Sequence, residues 1–211
     1  MGLKPHKPSD YPSFLLYVLD ETHLSVTVLT ASYILYTRSA HSAYFALGAL
    51  ASSFAAKLIK KFIRSPRPPP PPPSTAAGAA AERGSGTHSP GGRTAHIRPK
   101  KTYGMPSTHS TALTFYLAYI LPLLAHPSHS GLTDPAQRGL VALAVAGYWA
   151  GGIWSRVELG YHTYAQCLGG IALGTVCAVG WRGLWETHPG WEGPFQLLVD
   201  TIYTLTLGRV L

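Results

Sequence analysis

Ser155-Arg156-Val157-Glu158-Leu159-Gly160-Tyr161-His162-Thr163-Tyr164-Ala165-Gln166 lies between two apolar segments, residues 140–154 and 165–181, yet carries an Arg, a Glu, a His and a Gln. Polar groups at such a boundary cost free energy unless they bind something. Read as the start of a helix, the stretch places His162 and Gln166 one turn apart on a shared face. A Gln carboxamide there could hold one imidazole nitrogen and leave the other free to attack. A histidine at a boundary is more often structural, so the chemical reading depends on partners elsewhere in the chain.

Working outward, further apolar segments fall at residues 24–36, 43–59 and 111–125. A brief one at 15–19 reads as an interfacial approach. Residues 195–207, with Asp200 inside, read as a short span, a re-entrant piece or an interfacial helix. The 211-residue chain has a net charge of +8 but only 12% charged residues, roughly half the usual fraction for a soluble domain. The expected class is therefore all-α, a polytopic transmembrane helical bundle formed by residues 1–211 as one membrane domain. Residues 1–11 are polar and are not read as a signal peptide. Cys167 and Cys177 share one apolar segment, which points to small core residues and away from a disulfide framework or thiolate metal site. Residues 37–42 read as a tight turn, and Gly147, Gly151 and Gly152 as positions of close helix packing. A proline run at 68–73, followed by Ser, Thr, Ala, Gly and Arg, predicts a disordered inserted loop over 69–97. A second polar loop is expected at 126–138.

If the clear helices alternate in direction, three polar clusters reach one side of the bilayer. They are the basic end of the second helix, the entrance to the third and the exit of the fourth, carrying Lys60, Arg67, Ser107, His109, Arg156 and His162. Lys60 and Arg67, seven apart, are expected on one helical face. Arginine presents a planar fork matching two phosphate oxygens, and lysine a compact charge. Pro106 before Ser107 and Thr108 fits a helix opening whose free N–H groups favour an anion. The set describes a phosphate pocket in which His162 could act as nucleophile and His109 as acid. No carboxylate or thiolate set has metal-ligand spacing, so a metal-independent reaction without a cofactor is expected. The basic excess is matched to phosphate and headgroups, not to nucleic acid.

Three patterns occur in order: K-x6-R-P from Lys60, P-S-x-H from Pro106, and S-R-x5-H from Ser155. Together they resemble the type-2 phosphatidic acid phosphatase superfamily, which includes the vanadium haloperoxidases. The superfamily's third pattern normally continues x3-D, where this chain has Gln166. Tyr103-Gly104-Met105-Pro106-Ser107-Thr108-His109-Ser110 and the His162–Gln166 spacing are similar to the dolichyl-diphosphatase branch, departure included. The resemblance implies a helical bundle in which Lys60, Arg67 and Arg156 bind the phosphoryl group, assisted by Ser107 and the Thr108 amide. His162 would be nucleophile and His109 acid and later base. It further implies hydrolysis of dolichyl diphosphate in the endoplasmic reticulum membrane, at a lumenal site, recycling the lipid carrier for N-glycosylation. A neutral Gln166 gives the histidine less electrostatic help than Asp, which suits a diphosphate with its good leaving group.

Two other functions stay open from the residues. One is a phosphatidate or sphingoid-phosphate phosphatase, against which Gln166 and the Tyr103-Gly104-Met105 lead-in argue. The other is a silent lipid-binding membrane protein, against which the retained histidines and cations argue. The positive charge at 57–67 and 98–101 would by itself place the site side in the cytosol, whereas the resemblance implies the lumen.

Overall fold

The computed structural model describes residues 8–69, 102–125 and 132–206. The loop expected at 69–97 therefore lies, Pro69 apart, outside the described residues, as do residues 126–131 of the second loop. Among the described residues the regular structure is helical: α1 Phe14–Asp20, α2 Thr22–Thr37, α3 Ala40–Ile63, α4 Thr108–Ala125, α5 Pro135–Glu158, α6 Tyr164–Thr187 and α7 Glu192–Thr206, with single 3-10 turns at Pro8–Asp10 and Pro189–Trp191. α3, α5 and α6 have 24 residues each and are apolar enough to cross a membrane; at 1.5 Å per residue each reaches about 36 Å, beyond the ~30 Å hydrocarbon core. α1 and α2, bent by 60°, make a fourth crossing if counted as one span. α4 opens on the polar turn Thr108-His109-Ser110-Thr111 and packs against α3, α5 and α6. The chain is thus a multi-pass, all-helical membrane bundle. α7 has 15 residues among those described and extends about 22 Å there, short of the ~30 Å hydrocarbon core.

Capping chemistry sets the helix ends. Asp134 accepts from the Ala136 N–H at 2.9 Å and Pro135 occupies the first turn, so α5 begins well before its apolar run. The turn expected over 37–42 narrows to Arg38 and Ser39, because Arg38 ends α2 in the left-handed conformation at φ 49° and α3 starts at Ala40. Arg64 ends α3 likewise at φ 50°; its N–H reaches Lys60 O and its Nε reaches Lys61 O, both at 3.0 Å. Ser65-Pro66-Arg67-Pro68 then runs out of the helix, since a residue before proline is pushed to extended backbone. The expectation that Lys60 and Arg67 share a helical face is thereby corrected: Lys60 sits in the last turn of α3, and Arg67 on the segment beyond it.

α6 meets α4 along Gly170 and Gly174. A Cβ at Gly170 would lie 2.6 Å from Ser107 O, and one at Gly174 would collide with Thr111 O, so the two backbones touch. Phe115 and Tyr119 of α4 pack with Ala49 and Ala178 beside this seam. Gly152 receives the Leu113 side chain, whereas Gly147 faces open space and does not serve the packing expected of it. Tyr11, Leu16, Leu159 and Tyr161 form a second cluster that seats the N-terminal segment on the α5–α6 junction. Cys167 and Cys177 are both free.

Candidate active site

One cavity of about 760 Å³ opens where the α1–α2 bend, the end of α3, the start of α4 and the α5–α6 junction converge. Six of the expected site residues line it: Lys60, Arg67, Thr108, His109, Arg156 and His162. Ser107 and Gln166 stand behind its wall. Ser107 is fully buried, its N–H donates to Gln166 O at 3.0 Å, and its Oγ accepts the Ser110 N–H at 3.3 Å. It caps α4 and so aims the Thr108–Ser110 turn.

The chain reaches His162 by a sharp reversal. Gly160 adopts φ 67°, a conformation open to glycine and strained for other residues. The N–H groups of Tyr161 and His162 both donate to Arg156 O, at 3.0 and 3.1 Å. Thr163 then caps α6 in a reciprocal box with Gln166. His162 therefore precedes the helix and does not open it, because the threonine takes the capping position. Its contact with Gln166 forms nonetheless: Nδ1 lies 3.2 Å from Oε1. The carboxamide's Nε2 donates to Pro66 O at 2.7 Å and Ser65 Oγ at 3.3 Å, which turns Oε1 toward the ring. This assigns the proton to Nδ1 and the lone pair to Nε2. Nε2 is 3.3 Å from Nη1 of Arg67.

Arg67 is held on two sides. Its Nε donates to Thr102 O at 2.7 Å, Nη2 to Thr102 Oγ1 at 3.0 Å, and Nη1 to Tyr161 O at 2.7 Å. Burial, and then the nearby Arg156 charge, lower its pKa below the ordinary arginine value; an arriving phosphate dianion would reverse that penalty. Arg156 is 2% exposed. Its Nη1 pairs with Asp20 Oδ1 at 2.7 Å, Nη2 donates to Leu19 O and Ser155 Oγ at 3.1 Å each, and Nε to Ser155 Oγ at 3.2 Å. Of an arginine's five N–H donors, one on Nη1 is left for a ligand, so protein partners occupy the fork expected to grip two phosphate oxygens.

Sequence reasoning missed Asp20, Tyr11, Thr102 and Tyr161. The available signal was an acid closing the short apolar run at 15–19, since an acid within a membrane protein usually has a partner. Among the described residues, no three His, Cys, Asp or Glu side chains are placed to share a metal ion.

A family model described as "PAP2 superfamily" matches residues 40–188. Dolichyldiphosphatase 1 of Callithrix jacchus is 30% identical over 177 residues, covering 82% of this chain and 64% of that protein. Dolichyldiphosphatase 1 of Homo sapiens is 29% identical with the same coverage. The chain thus spans 64% of the length of these relatives. Among solved structures, a transmembrane PAP2-type phosphatidylglycerolphosphate phosphatase from Bacillus subtilis superimposes with a TM-score of 0.57 at 18% identity, covering 82% of this chain and 74% of that one. That likeness bears on the fold alone.

Proposed function

The chain belongs to the PAP2 superfamily, and on that premise we propose that it hydrolyses a polyprenyl diphosphate, dolichyl diphosphate in particular, to the monophosphate and inorganic phosphate. The observation that carries this reading is the setting of His162. Gln166 holds Nδ1, and Nε2 faces a cavity lined by Lys57, Lys60, Lys61, Arg67 and Arg156. Nε2 attacks the terminal phosphorus; the N–P bond forms as the bond to the bridging oxygen breaks. The developing charge on the transferred group meets the cations. His109, on the same cavity wall, protonates the departing lipid monophosphate and then takes a proton from the water that releases inorganic phosphate. Because a phosphate monoester leaves readily, a histidine oriented by a neutral amide suffices.

Similarity to dolichyldiphosphatases supports the choice of lipid. The proposed setting is the endoplasmic reticulum membrane with the cavity lumenal, where the product rejoins the carrier pool for N-glycosylation. The test is phosphate release by the purified full chain from dolichyl diphosphate, dolichyl phosphate and phosphatidate, with magnesium and with chelator. Strong preference for the diphosphate, equal in both media, is expected. Preference for phosphatidate would sink the substrate assignment.

A further inference from the structure

Asp20 is a carboxylate in the wall of an anion cavity, where a lone acid would repel the substrate. Its oxygens are instead turned to protein donors. Oδ1 takes Nη1 of Arg156 at 2.7 Å, while Oδ2 takes the Tyr11 hydroxyl at 2.6 Å and the Tyr161 hydroxyl at 3.4 Å. Both charged side chains are almost wholly enclosed, at 2% exposure for Arg156 and 1% for Asp20. The acid stands at the α1–α2 bend, outside the stretch matched by the family model. Tyr11 and Leu16 fasten that bend to Leu159 and Tyr161, immediately before His162.

We propose that Asp20 is a positioning residue for phosphoryl transfer: acting through Arg156, it fixes the rotation of the guanidinium so that the remaining Nη1 N–H is aimed at the phosphoryl group. The proposal rests on the reading of Arg156 as a phosphoryl-binding residue. A buried guanidinium that lost its carboxylate would turn toward other acceptors, because an uncompensated charge is not tolerated in place. Removing the acid also removes a negative charge from the cavity. Ground-state binding of an anion is then kept or tightened while the chemical step is misaligned, and a role confined to holding the fold would not divide the two quantities that way.

The experiment compares wild type, Asp20→Asn, Arg156→Lys, the double variant and Tyr11→Phe, reading kcat and KM for dolichyl diphosphate, inhibition by orthovanadate, and melting midpoint. Asp20→Asn is expected to lower kcat by roughly 100-fold, the scale of a misplaced catalytic contact, with KM and vanadate inhibition unchanged or tighter. Added to Arg156→Lys, it should lower kcat by no more than about threefold further, since both changes disable one unit. Tyr11→Phe, which keeps the charge and removes one bond, should lower kcat by about threefold to tenfold at an unchanged melting midpoint. It decides the matter if Asp20→Asn does not fold. Near-wild-type kcat in Asp20→Asn or Tyr11→Phe, losses that multiply in the double variant, or KM rising in step with a falling kcat would each overturn the proposal. Those results in an active wild type leave the proposed function standing, whereas a wild type that releases no phosphate removes the function itself.

Discussion

His162 and Gln166 form the smallest unit at which the chemistry can be separated from folding. His162→Ala leaves Thr163 and Gln166 to cap α6, so the variant should insert and melt as wild type while phosphate release falls by roughly 10³-fold or more. Gln166→Glu tests the carboxamide. It keeps the length and an oxygen for Nδ1, but sets a carboxylate oxygen where Nε2 now donates to Pro66 O at 2.7 Å. Two acceptors facing each other would push away the segment that carries Arg67. A drop of about tenfold in kcat/KM on the diphosphate is expected, with no gain on monoester lipids; a gain would show that the amide's second bond has no consequence. The order of Lys60, Arg67, His109, Arg156 and His162 made the cavity legible, because their residue types state their chemistry. Asp20 and Thr102 were not legible. A carboxylate or threonine acquires its meaning from what it touches, and the partners of both lie far off in sequence.

Apolar segments revealed the helices well because burial in lipid leaves a long uniform signature, but it does not record their ends. α5 begins at Pro135 and α3 stops at Arg64 for reasons of capping, and that stop put Arg67 on the segment beyond the helix instead of a helix face. The short run at 15–19 became α1, whose packing partners on α5 and the α5–α6 junction no local pattern announces. The α4–α6 seam gives the sharpest test at this scale. Gly170→Ala puts a methyl 2.6 Å from Ser107 O, an overpacking that should cost about 1–3 kcal/mol. Because Ser107 caps α4, the same shift displaces Thr108 and His109. Both melting temperature and kcat should fall in detergent-purified protein, whereas Gly147→Ala, at a helical position facing open space, should leave kcat unchanged and the melting temperature equal or slightly higher. Equal behaviour of the two variants would mean that the seam does not position the site.

Taken whole, the molecule brings together the described residues on either side of the 70–101 stretch. Arg67 donates twice to Thr102, and the Gly104 N–H reaches Ser65 O at 2.8 Å, so residues 65–67 and 102–104 are pinned side by side. Replacing residues 70–97 by a short Gly/Ser linker should leave kcat within about threefold, since loop closure varies slowly with length. The same region decides orientation. Counted as bare charge, Lys57, Lys60, Lys61, Arg64 and Arg67 would hold this end in the cytosol. Four of the five line the cavity, and the fifth, Arg64, donates to the end of α3. Charges facing a cavity for an anion are weaker guides to topology than free loop charges, so they do not rule out the proposed lumenal cavity. A protease site placed within 70–97 should then stay uncut in sealed microsomes until detergent is added. Cleavage in intact vesicles would put the cavity on the cytosolic face, and the proposed lumenal recycling of the lipid carrier would have to be abandoned even if the phosphatase activity held.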